Sequence, residues 1–164
     1  MLGGGDRPPM ASTQQENAAL VRRFLTDVVA RGDTDAVADL LVAGAEDHHL
    51  VFDGAQSKET MAGLGWHALA GADVDVHVED VIASDDRVAV RGRVTGTHRE
   101  SLMDLAPTGR SFEIACAWFF HVEDDRIAEI WSLPDGLRLL RQLDAVPEEF
   151  PIRPLPGSIQ RQQR

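Results

Sequence analysis

One acid sits where a strand gives way to a helix: Asp135, in the stretch "EIWSLPDGLRLLRQL" at 129–143. A lone carboxylate has two uses at such a place. It serves a helix start, because an acid in the first turn meets free N–H groups and the positive end of the dipole. It also moves protons if it faces an apolar cavity, because desolvation of the charged form raises its pKa toward values useful for general acid–base work. The spacing allows both. Ser132, three residues before Asp135, fits a capping box, and Pro134 is tolerated in a first turn. Strand alternation puts Glu129, Trp131 and Leu133 on one face, leading to Asp135 at the sheet edge. The chemistry open to such a carboxylate is general acid–base proton transfer to or from a bound small molecule. Trp131, Leu133 and Phe119 would supply the apolar wall, with Glu129 on the same face. Proton transfer by a carboxylate calls on no metal or other cofactor, and none is expected.

His121 precedes Asp135 by fourteen residues. A turn at Asp124–Asp125 pairs the two strands and brings His121 to the Glu129–Trp131 region. Ala117 and Phe119 share its face, the side expected to turn inward. The bland alternative is an exposed strand-end histidine beside Glu123 and Asp124. His48 and His49, in "EDHHL", are adjacent, so on a strand they point to opposite faces and do not easily share a metal; the alternative for both is a polar loop. The chain has no HExxH, cysteine pair or His-rich strand, and no metal site is expected. Cys116 stands alone in an apolar run and reads as a core residue. Trp66 reads as a wall or core residue.

These residues need elements to position them. The 164 residues favour one domain, placed at 13–146, between Gly/Pro-rich or polar tails at 1–12 and 147–164. "TQQENAALVRRFLTDVVARGD" reads as a helix, with Thr13 and Glu16 as a capping box and Gly32 as its stop. "DTDAVADLLVAG" reads as a second helix, capped by Asp33 and ended by Gly44. "SKETMAGLGWHAL" reads as a third. The period then changes to alternation in "DVDVHVEDVIAS" and "RVAVRGRVTGTHR". "FEIACAWFFHV" is more continuously apolar and reads as a more buried strand, and "RIAEIWSL" reads as the last long one. Helices followed by antiparallel strands predict an α+β fold: helices on a curved, mostly antiparallel sheet that encloses a pocket. The formal net charge of −11 argues against nucleic acid and anionic membranes as partners. No long apolar span and no secretory leader is visible, so a cytoplasmic protein is expected.

In this order, the elements resemble those of the SnoaL-like polyketide cyclases, or ester cyclases, of the nuclear-transport-factor-2-like superfamily. The resemblance rests on "NAALVRRFLTDVVARGD", "DHH" at 47–49, "DVIASDDRVAVRGRVTGTH", "APTGR" and "RIAEIWSLPDGLRLLRQL". It implies a cone-shaped α+β barrel, a small-molecule substrate in an internal pocket, and a homodimer packed through the outer sheet face. It implies aldol-type ring closure with Asp135 as the acid/base and His121 lining the pocket beside it. His48 would then lie at the pocket mouth. Two features depart from related patterns. The chain has no tyrosine, which argues against a ketosteroid-isomerase mechanism. The segment "LAGADVDV" also lacks the usual aromatic and proline. Two other readings stay open: a non-catalytic small-molecule-binding protein, and a limonene-type epoxide hydrolase using Arg91 or Arg93 between two acids.

Overall fold

The computed structural model describes residues 13–49, 73–101 and 105–146. The expected third helix with Trp66, and both expected tails, lie outside the described residues. Helix α1, Gln14–Phe24, starts as the sequence predicts. The Thr13 hydroxyl accepts the Glu16 N–H at 3.2 Å, and the Glu16 carboxylate accepts the Thr13 N–H at 2.7 Å. The helix widens into a π-helical stretch over Leu25–Ala30, which buries Leu25, Val28 and Val29. Gly32, at a φ of 69°, ends it.

Helix α2, Asp35–Leu40, is shorter than expected. Asp33 does serve its start, accepting the N–H groups of Asp35 and Ala36. The chain then turns directly into strand β1, Leu41–His49, so Gly44 lies inside a strand instead of ending a helix. The cause is long-range: Leu41 pairs with Ile127, and this pairing overrides the local helical pattern.

Strands β2 (Val74–Ser84), β3 (Arg87–Thr97), β4 (Ser111–Glu123) and β5 (Arg126–Pro134) follow the alternating segments. Their order in the sheet is β1-β5-β4-β3-β2. The β1–β5 pair is parallel and the other three are antiparallel. Asp124 and Asp125 both take positive φ, 47° and 61°, as a tight hairpin turn requires. Among the described strands the sheet stays open, with β1 and β2 as its edges.

The helices cover one face of this sheet. Phe112, Ile114, Cys116, Trp118, Phe120 and Val122 of β4 are all buried there. The rings of Phe24 and Phe120 meet edge to face at 5.8 Å. Asn17 of α1 donates to the carbonyl of Asp85 at 2.8 Å, tying the helix to the β2–β3 turn. The last helix, α3 (Gly136–Gln142), guards the part of β4 that β5 does not reach. Its Arg138 and Gln142 side chains donate to the Glu113 carbonyl, and Gln142 accepts the Glu113 N–H. An unpaired strand edge is thereby closed to other chains. Among the described residues no helix is long and apolar enough to cross a membrane.

Candidate functional site

The strand ladders assign each expected residue to a face. Directly paired residues share a face, and three cross-strand rows emerge from the registers. Ser84, Arg87, His121, Glu129 and Glu46 form a polar row. Beside it run Ile82, Ala89, Phe119, Trp131 and His48. The third row is Asp80, Arg91, Ala117 and Leu133. All three lie on the face opposite the buried even-numbered residues of β4. Phe119 is 47% exposed and Leu133 44%. The expected wall of an internal pocket is therefore the open outer face of the sheet. The shared parity of Glu129, Trp131 and Leu133 is as expected, but their side of the sheet is the reverse.

Asp135 is exposed and is itself the N-cap of α3. Its Oδ1 accepts the Arg138 N–H at 3.0 Å. Ser132 does not cap this helix. Strand β5 runs on through Pro134, which pairs with Cys116, and leaves Ser132 buried in the sheet. Asp135 and His121 are not neighbours. The Asp135 N–H bonds the Ala115 carbonyl, six residues before His121 on β4, roughly 20 Å away at strand rise.

His121 sits in a chain of polar contacts. Its Nδ1 lies 3.0 Å from Glu129 Oε1, and its Nε2 lies 3.1 Å from Asp86 Oδ2. Carboxylates only accept, so satisfying both contacts takes a proton on each ring nitrogen. The hydrogen bond from His121 holds the Glu129 carboxyl below the ordinary range, outweighing its partial desolvation. Glu129 Oε2 is 3.4 Å from His48 Nε2, and the His48 ring stacks on Trp131 at 4.7 Å. Arg91 and Arg93 pair with Glu79, and Arg93 also with Glu113. Among the described contacts neither arginine bridges Glu129 and Asp135, as the epoxide-hydrolase reading requires.

The helix-covered face carries groups that the sequence reading passed over. Asp47 pairs with the buried Ile130, and one of its carboxylate oxygens is shut from water. Ser132, next on that face, is buried opposite Trp118. The signal for Asp47 was its place between Glu46 and His48: if His48 faces out on a strand, Asp47 faces in. The Cys116 thiol is pushed up to about 12 by burial. An open cleft of about 300 Å³ lies at the other end of the strands, lined by Asp73, Asp75, Thr95, Thr97, Ser111 and Phe112 among others. Among the described residues, none of those expected at the site borders it.

Comparison with known proteins places this architecture. The chain is similar in structure to AclR of Streptomyces galilaeus, described as a candidate hydroxylase. The TM-score is 0.70 at 21% identity, over 82% of this chain and 100% of that one. It is similar to TsrD of Streptomyces laurentii, with a TM-score of 0.69 at 20% identity, over 82% and 99% of the two chains. It is also similar to IdmH of Streptomyces antibioticus, described as a candidate polyketide cyclase. There the TM-score is 0.61 at 27% identity, over 81% and 99%. No curated protein matches by sequence. The family model for SnoaL-like polyketide cyclases matches residues 19–143, which span the helices, the sheet and α3, and the chain belongs to that family.

Proposed function

We propose that this protein catalyses aldol-type ring closure, or a related carbon-acid proton transfer, on a small apolar carbonyl substrate. The proton-transfer group in this reading is Asp47, not Asp135. The observation that carries it is placement. Among the described sheet residues, Asp47 is the carboxylate on the helix-covered face, beside Ile130 and with one oxygen removed from water. Desolvation makes a carboxylate a better base, and a fixed strand position orients it. Asp135 lacks the first feature, since it is exposed. His121, Glu129, Trp131, Phe119 and Leu133 then belong to the outer face, where the family resemblance supports packing against a second copy.

A 1,3-diketone probe tests the assignment. Deuterium uptake at its central carbon is followed by NMR at a pH where uncatalysed exchange is slow. Wild-type protein is expected to accelerate exchange. Asp47→Asn should lose about 10²–10⁴-fold of that acceleration, while Asp135→Asn keeps it. The reverse pattern would return the role to Asp135. A wild-type protein that binds the probe but gives no acceleration would favour a non-catalytic binding protein.

A further inference from the structure

We propose that Glu46, His48 and Glu129 form a binding site for a first-row divalent transition-metal ion of the zinc type. The three side chains come from two neighbouring strands. Glu46 and His48 are two apart on β1 and share a face. Glu129 stands on β5 directly opposite Glu46. One ligand atom from each residue falls within a group in which none is more than 4.8 Å from another. His48 Nε2 is 3.4 Å from Glu129 Oε2 and 3.7 Å from Glu46 Oε2. These separations are long for hydrogen bonds. They suit the edge of a tetrahedral shell, which is about 3.4 Å when ligands stand about 2.1 Å from zinc.

The surroundings fix two of the three ligands. Trp131 stacks on the His48 ring with 12° between the planes, which sets the ring's orientation. The second Glu129 oxygen, Oε1, is engaged by His121, and His121 is held in turn by Asp86. Carboxylate ligands are commonly held in this way by a group outside the coordination shell. A single imidazole with two carboxylates suits zinc, cobalt or nickel. Calcium would need more oxygen ligands than the three residues supply, and magnesium holds its own water too firmly. The excess of negative charge on the chain also favours cations.

The expectation of a metal-free chain considered His48 with His49, and the pair that matters is His48 with Glu46. The ion would lie on the opposite side of β1 from Asp47, so its role is to clamp an edge strand. That strand needs a clamp: among the described strands it pairs with β5 alone, and the β1–β5 register shifts between Leu41 and Glu46. The proposal is independent of the cyclase reading, because its readout is metal binding and not turnover.

The test is calorimetric titration of the full chain, stripped with EDTA, with zinc chloride. One saturable site per chain and a raised Tm are expected, with magnesium chloride giving neither. His48→Ala and Glu129→Gln should each weaken zinc at least about ten-fold, and His121→Gln about ten-fold as a positioning residue. Cobalt gives a second readout on the folded wild-type chain. It should develop visible bands of low-coordinate geometry and quench Trp131 fluorescence, with the quenching lost in Trp131→Phe. No saturable zinc binding up to millimolar concentration overturns the proposal. So does zinc binding that survives either His48→Ala or Glu129→Gln unchanged.

Discussion

Asp135 and His121 stand at opposite ends of one strip of the outer sheet face. The Asp135 N–H holds the Ala115 carbonyl at 2.9 Å, while His121 pairs with Glu129 six residues further along β4. Between them lie Ala117 and Phe119 with their partners Leu133 and Trp131. No single substrate atom bridges such ends, so the two residues do not form an acid–base pair.

Asp135 does structural work as the N-cap of α3. Asparagine is as good a cap as aspartate, and alanine is not. Asp135→Ala should lower stability by about 0.5–2 kcal/mol, and Asp135→Asn should leave it close to wild type. Urea denaturation of the two variants checks this. An alanine variant as stable as wild type would show that the Arg138 N–H finds another partner.

Gly92 carries a second structural demand. A Cβ there would stand 2.4 Å from the His77 carbonyl oxygen and 3.3 Å from the Trp118 ring. The contact is with backbone, so β2 itself would have to move. It lies just before the register shift between Val78 and Asp80, where the two strands are already irregular. Gly92→Ala should cost on the order of 1–3 kcal/mol, as overpacking does, and thermal unfolding would read the loss. An unchanged Tm would mean that β2 is free to shift.

Strands β2 and β3 are legible in the sequence because they alternate, β4 because of its apolar run, and the turns between the strands because Asp85, Asp124 and Asp125 mark them. The helix start at Thr13 is legible for the same local reason. Strand β1 is not. Its partner is parallel and distant, with His48 and Glu129 separated by 81 residues, and nothing local announces such a pairing. The side of the sheet was open to a closer reading. Even positions of β4 are Phe112, Ile114, Cys116, Trp118, Phe120 and Val122, whereas the odd ones include Glu113, His121 and Glu123. The uniformly apolar set is the one that faces the helices. Phe119 and Trp131, large apolar residues on the other face, blur that contrast in the sequence.

Cys116 should make the stability of the folded chain fall at alkaline pH. Burial raises its thiol from 9.0 to about 12. Above 9.0 the unfolded chain releases this proton while the folded chain keeps it, so the folded state binds more protons and loses ground as pH rises. The contribution is fully present below 9.0 and is lost through about 12, by about 1.4 kcal/mol per pH unit. Other groups also titrate there, so the measurement is a difference. The denaturation free energy of wild type should fall more steeply between those limits than that of Cys116→Ala. Parallel slopes would show that the thiol ionises equally in both states.

The outer face should be an interface between two copies of the chain. Ile82, Ala89, Phe119 and Trp131 form one continuous row across four strands, and Leu133 lies in the next. Ile82 is 65% exposed, so the row meets water in the single chain. Scattered apolar residues are normal on a surface, but a contiguous band flanked by charged side chains such as Arg87 and Arg91 marks a contact site. A second copy supplies the same band, and a two-fold arrangement sets each against the other. Sedimentation at micromolar concentration should show a species of two chains, each of 17.9 kDa. Phe119→Glu places a charge in the middle of the band without touching the helix-covered core. It should give a monomer with an unchanged circular dichroism spectrum. A wild-type chain that sediments only as a 17.9 kDa species would defeat the prediction, as would a Phe119→Glu variant that remains dimeric.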